Sequence, residues 1–331
     1  MRFLVTCLAL CGAILLACEA QAQTQIVKSA FDAGFDAQKR GDHTAAAVLY
    51  QQACMGGEAM GCYALGLIYE LGRGSDKDEV RAAGYYQQAC IGGAARGCYK
   101  LALLYDPDQG VTKDAVRAAG LYQQACTGGD AAGCTGLGEL YARGHGVTSD
   151  EIRAAALFQQ ACTGGNAKGC AGLGDRYLQG EGVAKDEARA TELYQQACTG
   201  GAVRGCDRLG DFYANGQGLA KDEVRATGFY QQACTGGSMG GCGRLGRRYE
   251  QGQGVAKDEA RAAGLYQQVC TGGDASDCIL LGDLYRDGRG VTKDTARALQ
   301  LYHQALTFDS RPENAELVRA RINDLSAASG Q

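Results

Sequence analysis

Apolar residues along most of the chain fall at three- and four-residue steps, and the whole pattern returns every 36 residues. In "DAAGCTGLGELYAR", Asp130 to Arg143, the residues Cys134, Leu137 and Tyr141 share one face behind an acidic residue placed to cap a first turn. The stretch predicts a helix, A, of about fourteen residues or roughly 21 Å. "GHGVTS" breaks it. "DEIRAAALFQQACT", Asp150 to Thr163, predicts a second helix, B, with Asp150 as N-cap and Ala154, Leu157, Phe158 and Ala161 on its apolar face. Gly164 and Gly165 end it, where a left-handed cap favours glycine. The unit is an antiparallel helical hairpin.

The step of 36 holds without insertion. One cysteine set is Cys54, Cys90, Cys126, Cys162, Cys198, Cys234 and Cys270; the other is Cys62, Cys98, Cys134, Cys170, Cys206, Cys242 and Cys278. Tyr69 to Tyr285 keep the same step, as do Asp78 to Asp294 and the arginine three residues after each aspartate. Such a period marks a solenoid. The expected division is a signal peptide over 1–22, an N-terminal capping helix pair over 23–57, seven repeats over 58–308, and a C-terminal capping helix and tail over 309–331. Leu317, Ala320, Ile322 and Leu325 are expected to form the stacking face of that last helix. Gly146 and its counterparts occupy the A–B turn, where a positive φ is expected. Gly138 sits inside helix A, which costs about 1 kcal/mol against alanine; its recurrence at Gly66, Gly174, Gly210, Gly246 and Gly282 predicts close helix–helix approach. The second repeat carries Ala102 there, and Asp108 where the others have glycine, so its turn should differ.

The pattern A-x-x-L-Y-Q-Q-A-C-x-G-G…G-C-x-x-L-G-x-x-Y-x-x-G-x-G-V, over about Ala45 to Leu306, resembles the Sel-like repeat, a relative of the tetratricopeptide repeat. With its added cysteines it is similar to the secreted cysteine-rich Hcp-type proteins. The resemblance implies an all-α, right-handed superhelical α/α solenoid of 36-residue hairpins, with helix A lining a concave face that binds a protein or peptide. Hcp-type proteins are associated with penicillin binding and weak β-lactamase activity, so the resemblance carries that hydrolase as the alternative function. No residue of this chain supports it.

The opening "MRFLVTCLALCGAILLACEAQAQ" has Arg2, an apolar run from Phe3 to Ala17, and "AQA" at Ala20 to Ala22. It reads as an export signal cleaved after Ala22, giving a secreted or periplasmic protein. "LLAC" resembles a lipobox, and the alternative is a lipoprotein anchored through Cys18. Cleavage removes Cys7, Cys11 and Cys18 and leaves 14 of the 17 cysteines, an even set outside the cytosol, which reads as disulfides. Within each pair, as in Cys126–Cys134, a tight glycine turn brings two helix ends together, and disulfide geometry needs Cα atoms about 4.4–6.8 Å apart. Helix ends also meet between Cys134 and Cys162, so spacing alone leaves a cross-hairpin link open. The resemblance implies the eight-residue pairs. Zinc is disfavoured, because His43, His145 and His303 do not recur and the gaps are long. Redox catalysis is disfavoured by the lack of C-x-x-C.

A formal charge of −4 with interspersed signs shows no basic stripe and argues against nucleic acid. No apolar run after the signal is long enough to span a membrane, and no catalytic motif is present. No catalytic residue, metal or cofactor is expected, and the chain is expected to be a monomer. The Asp78–Arg81 pairs read as an N-cap followed by a salt bridge, and Tyr122 and Tyr141 lie at core phase. Variation is concentrated on helix A. The column two after each core leucine reads Leu67, Leu103, Glu139, Asp175, Asp211, Arg247 and Asp283; the column after each tyrosine reads Glu70, Asp106, Ala142, Leu178, Ala214, Glu250 and Arg286; that after the second cysteine reads Tyr63, Tyr99, Thr135, Ala171, Asp207, Gly243 and Ile279. Glu139, Asp175, Asp211 and Asp283 form an acidic strip interrupted by Arg247. These five are the candidate partner-binding residues, expected to be solvated.

Overall fold

The computed structural model describes residues 25–110, 112–309 and 311–329, and within them every regular element is an α-helix. The signal peptide, its cleavage point and Cys18 lie outside the described residues. The chain forms two compact units, Met1–Gly169 and Cys170–Gln331. In the first, α1 (25–39) and α2 (His43–Met55) precede the hairpins α3 (Ala59–Leu71)/α4 (Glu79–Ile91) and α5 (Ala95–Tyr105)/α6 (Ala115–Thr127), then α7 (Ala131–Arg143)/α8 (Glu151–Thr163). The second contains α9 (Ala167–Gln179) from Cys170 on and α10 (Glu187–Thr199). It continues with α11 (Val203–Asn215)/α12 (Glu223–Thr235), α13 (Met239–Gln251)/α14 (Glu259–Thr271), α15 (Ala275–Asp287)/α16 (Thr295–Phe308) and α17 (Pro312–Ser329).

Caps set these boundaries. Each helix B starts at an aspartate whose carboxylate accepts the N–H three residues on, as in Arg81 N to Asp78 Oδ1 (2.9 Å) and Arg261 N to Asp258 Oδ1 (2.9 Å). This satisfies one of the donors a helix N-terminus leaves open. Helix B ends on the glycine pair, and the second glycine takes the left-handed conformation, with φ of 90° at Gly129 and 82° at Gly165. The A–B turn carries two further positive-φ glycines, Gly144 and Gly146 in the third hairpin. Gly146 has a second duty. A Cβ there would meet the backbone carbonyl of Ala115 at 2.2 Å, because the turn lies on the N-terminus of the preceding helix B.

The second repeat departs as its sequence predicts. α5 stops at Tyr105, two residues short of its counterparts. Asp106 is buried and accepts the N–H groups of Asp108 and Gln109, an Asx-type turn that replaces the left-handed glycine.

The predicted close approach is present, and its cause is aromatic. A Cβ on Gly66 would lie 2.6 Å from the Tyr86 ring, on Gly210 2.5 Å from Tyr230, and on Gly282 2.5 Å from Tyr302. The mid-helix glycine therefore lets a helix-B tyrosine lie flat on the helix-A backbone. In the second repeat Ala102 occupies this place, and Tyr122, packed in one core cluster with it, also lies against Gly136 of the next helix A. At the other end of each hairpin junction, a Cβ on Gly97 or Gly133 would meet Ala89 or Ala125 at 2.6 or 2.5 Å.

That crossing brings the cysteines together. Cys54–Cys62, Cys90–Cys98 and Cys126–Cys134 are bridged in the first unit, and Cys198–Cys206, Cys234–Cys242 and Cys270–Cys278 in the second, with Cα atoms 4.5–4.7 Å apart. Cys162 and Cys170 are disulfide-bonded as well. The next helix B covers the bridges: the Gln88 amide rests 3.2 Å from Cys54 Sγ, and that of Gln232 3.4 Å from Cys198 Sγ. Loop-closure entropy for about nine residues gives roughly 2.6 kcal/mol per bridge. Replacing Cys198 and Cys206 by alanine should therefore lower the unfolding free energy by about that amount in urea titrations. Non-reducing peptide mapping should recover the eight-residue links; cross-hairpin peptides such as Cys206–Cys234 would refute the arrangement.

Candidate binding surface

Helix A carries all five candidate partner-binding residues, and the structure corrects how four of them were expected to stand. Asp175 is 1% exposed and Asp283 is also buried, while Asp211 and Glu139 are half-buried. Arg247 alone of the five is exposed. The reason is the tyrosine above the glycine. Tyr194, Tyr230 and Tyr302 are buried, and their hydroxyls donate to Asp175 (2.8 Å), Asp211 (2.8 Å) and Asp283 (2.7 Å).

Where the acidic residue is missing from that column, the column after the rung tyrosine supplies it. Tyr122 donates to Asp106 at 2.7 Å, Tyr266 to Glu250 at 2.8 Å, and Tyr86 to Glu70. Each of the seven hairpins carries one carboxylate in one of these two columns and none in the other. The third hairpin has Glu139 but Phe158 in place of the tyrosine. Burial, reinforced by the carboxylate, drives these tyrosine hydroxyls to pKa values well above the ordinary range, so they act as fixed donors.

Basic residues of the next helix A, or of the turn after it, neutralise most of these carboxylates. Lys100 reaches Glu70 at 2.9 Å; Arg208 and Arg204 reach Asp175 at 3.4 and 2.5 Å; Arg244 reaches Asp211 at 3.0 Å; Arg289 reaches Glu250 at 2.9 Å; and Arg321 of α17 reaches Asp283 at 3.1 Å. Asp175, Asp211 and Asp283 of the acidic strip are thus consumed inside the array. The column after the second cysteine is packed too. Thr135 donates to Asn166 at 3.2 Å, and Ser238 donates to Asp207. Both acceptor–donor partnerships join variable positions 31 residues apart.

The Asp–Arg pairs stand as read. Arg81 Nε lies 3.1 Å from Asp78, and its guanidinium spreads over Tyr69 at 5.5 Å; Arg117, Arg153, Arg225 and Arg261 repeat this over Tyr105, Tyr141, Tyr213 and Tyr249. Tyr122 is a buried core residue, whereas Tyr141 is half-buried beneath Arg153.

Two of the recesses along helix A combine apolar and charged walls. In the first unit, Leu71, Leu103 and Leu104 floor a space of about 280 Å³ rimmed by the Glu70–Lys100 and Lys77–Glu79 pairs. The second unit shows why it is open. The residues 144 positions on from Leu103 and Leu104 are Arg247 and Arg248, and Arg248 extends to Glu223 across the equivalent ground. Leucine is too short to do so. The second recess, about 290 Å³, lies among α13, α15, α16 and α17. Among the described residues no group of three or more His, Cys, Asp or Glu side chains is placed to hold a metal ion, and no helix is long and apolar enough to cross a membrane.

Sequence comparison agrees with this architecture. The Sel1 repeat model matches residues 30–58, 59–93, 95–130, 131–166, 167–201, 203–238, 241–274 and 275–307. The chain belongs to the Sel1 repeat family. The first matched segment falls within the helix pair that precedes the seven cysteine-bearing boundaries. Among solved structures, a protective antigen of uropathogenic Escherichia coli displaying an SLR fold is 26% identical, with a TM-score of 0.68 over 93% of this chain and 66% of that one. The chain therefore spans just under two thirds of that protein's length. A Sel1 repeat protein of Oxalobacter formigenes, 24% identical, shares the fold with a TM-score of 0.66 over 72% of this chain and 96% of that one. Helicobacter pylori cysteine rich protein B is 30% identical over 40% of this chain and 96% of its own, with a TM-score of 0.33. No curated protein matches the chain.

Two consequences of this packing are measurable. Asp211→Leu leaves the Tyr230 hydroxyl buried without its acceptor and should cost about 1–3 kcal/mol. Adding Tyr230→Phe should recover a large part of that loss in a double-mutant cycle, since no orphaned donor remains; additive losses would show that the pair is not coupled. The second concerns Asp277, which stands where earlier repeats carry glycine, is 5% exposed, and has a buried Oδ1 without a hydrogen-bond partner. Desolvation, then the nearby Asp274, pushes its carboxyl up to about 6. The folded state therefore binds this proton more tightly than the unfolded chain, and stability falls as pH rises from about 4 to 6. Asp277→Asn should gain up to roughly 3 kcal/mol at pH 7.5 and almost nothing at pH 4. Equal gains at both pH values would contradict it.

Proposed function

We propose that this Sel1 repeat protein is an exported scaffold that binds a protein or peptide partner through the helix-A face. The single observation behind this reading is the recess floored by Leu71, Leu103 and Leu104. It combines solvent-open apolar surface with charged pairs of both signs at its rim. Leu71 is more than half exposed in the middle of it. Such a site offers burial to an aliphatic or aromatic side chain and hydrogen-bonding charges to the backbone around it. Most of the helix-A carboxylates are spent on internal pairs, which frame the recess.

Export is supported by the disulfides, which persist in oxidising compartments, and by the signal-like N-terminus. The test uses peptides selected by phage display on the purified protein. Filling the recess by Leu103→Arg with Leu104→Arg, the residues the equivalent positions of the second unit carry, should weaken the selected peptides at least about tenfold, the scale of one lost buried anchor. Both leucines are half-buried against the core, so the melting temperature should fall somewhat, and binding is compared well below it on folded protein. Undiminished binding to the filled variant would overturn the assignment.

A further inference from the structure

The second recess differs from the first in its charge. Its walls are Ile279 and Leu280 of α15 and Leu317 and Val318 of α17, with Arg247 of α13 and Ser276 of α15 as polar members. Leu317 is 55% exposed, so the apolar wall is open to solvent. Asp309, at the far side, is already engaged by Arg311 at 2.6 Å.

Arg247 is unlike the arginines around it. Arg244 pairs with Asp211, Arg248 with Glu223, and Arg321 with Asp283. Arg247 is exposed and forms no ion pair among the described residues. Asp277 attracts it through space only. That carboxyl is buried against Gly243, one helical turn before Arg247 on α13, and makes no bond to the guanidinium.

An apolar wall beside an unmatched guanidinium restricts the occupant by charge complementarity. A purely aliphatic group would leave the charge unanswered, and a small inorganic anion would leave Leu317 and Ile279 wet. Both demands are met by one chemistry. We propose that this recess binds a peptide segment bearing a carboxylate next to a branched aliphatic side chain, with Arg247 holding the carboxylate and Ile279, Leu280 and Leu317 burying the side chain. The proposal deepens the helix-A binding reading and rests on it. It places a second, chemically distinct anchor in the second unit.

Fluorescence anisotropy on the full protein tests it with three fluorescein-labelled hexapeptides. One ends in Leu-Leu with a free carboxylate, one has an internal Asp-Leu and an amidated end, and one has Lys-Leu and an amidated end. The expected result is saturable binding of one or both carboxylate peptides and none of the lysine peptide. Binding confined to the free-acid peptide assigns the C-terminal carboxylate; binding of the internal Asp-Leu peptide assigns the side chain. Arg247→Glu should weaken binding more than about tenfold, as loss of a charge-assisted contact does, and Leu317→Asp should weaken it independently. Asp277→Asn should tighten it by roughly threefold, because a competing charge near Arg247 is removed. A purely structural role for Arg247 would not reproduce that opposite response. Equal binding of the lysine peptide, no saturable binding of either carboxylate peptide, or an Arg247→Glu variant with unchanged affinity would each overturn the proposal. The Leu103→Arg, Leu104→Arg variant should still bind these peptides, so failure at one recess is read separately from failure at the other.

Discussion

A tyrosine ring laid flat on a helix backbone governs this architecture. In six of the seven hairpins the residue beneath the ring has no side chain, which accounts for glycine inside helix A despite its cost of about 1 kcal/mol; the second repeat manages with Ala102. Burying an aromatic ring contributes roughly 1.5–3 kcal/mol, more than the glycine loses. The ring also carries a hydroxyl into the core, and an unsatisfied hydroxyl would cancel much of the gain. A carboxylate acceptor is the consequence in the six hairpins that carry the tyrosine. In most hairpins a lysine or arginine from the following repeat lies beside that carboxylate, as Lys100 does for Glu70 and Arg244 for Asp211. A single aromatic contact thus dictates a chain of four residue choices across two repeats.

The same chain explains how neighbouring hairpins hold their register. Within each unit, a repeat contributes the tyrosine and its acceptor, and the next contributes the cation and the glutamine that covers the disulfide. Coupling between nearest neighbours is what makes a repeat array cooperative. The ion pairs are mostly half-buried, and individual pairs of that kind contribute little. Their effect is to let the carboxylate remain charged where the tyrosine needs an acceptor. At the C-terminal end, α17 supplies Arg321 to Asp283 and so performs the office of a further helix A.

The period, the two helices of each hairpin, the aspartate caps, the close approach at Gly138 and the irregular turn after Tyr105 were all legible, because each is a local property of a short window. The acidic strip was misread for a physical reason. Asp175, Asp211 and Asp283 share a column with Leu67, Leu103 and Arg247, and a column that tolerates leucine, aspartate and arginine looks like free surface. Its variation is compensated elsewhere. Read with the column three residues later, it shows a carboxylate in one place or the other in every hairpin, a signal present in the sequence but invisible to any single column. The Thr135–Asn166 and Asp207–Ser238 pairs are the same phenomenon at a spacing of 31. The recesses were not legible at all, since they depend on how far a leucine or an arginine reaches after the backbone is in place.

Variation in a repeat array therefore has two sources that only packing separates. One is internal compensation, where a change at one position is answered at another and nothing new faces the solvent. The other is a change left unanswered. Leu103 and Leu104 are left partly unanswered, half-buried against the core but lining an open recess. Arg247 is unanswered because no carboxylate among the described residues bonds to it, although other members of their columns are tied into the core. An unanswered residue leaves the array's interior unaffected and presents its full solvation demand outward: uncovered apolar area in one case, an unmatched charge in the other. The two units share one scaffold but differ in these residues, so their outward chemistry differs while their folding chemistry does not. That separation lets a strict 36-residue framework carry distinct binding preferences along its length.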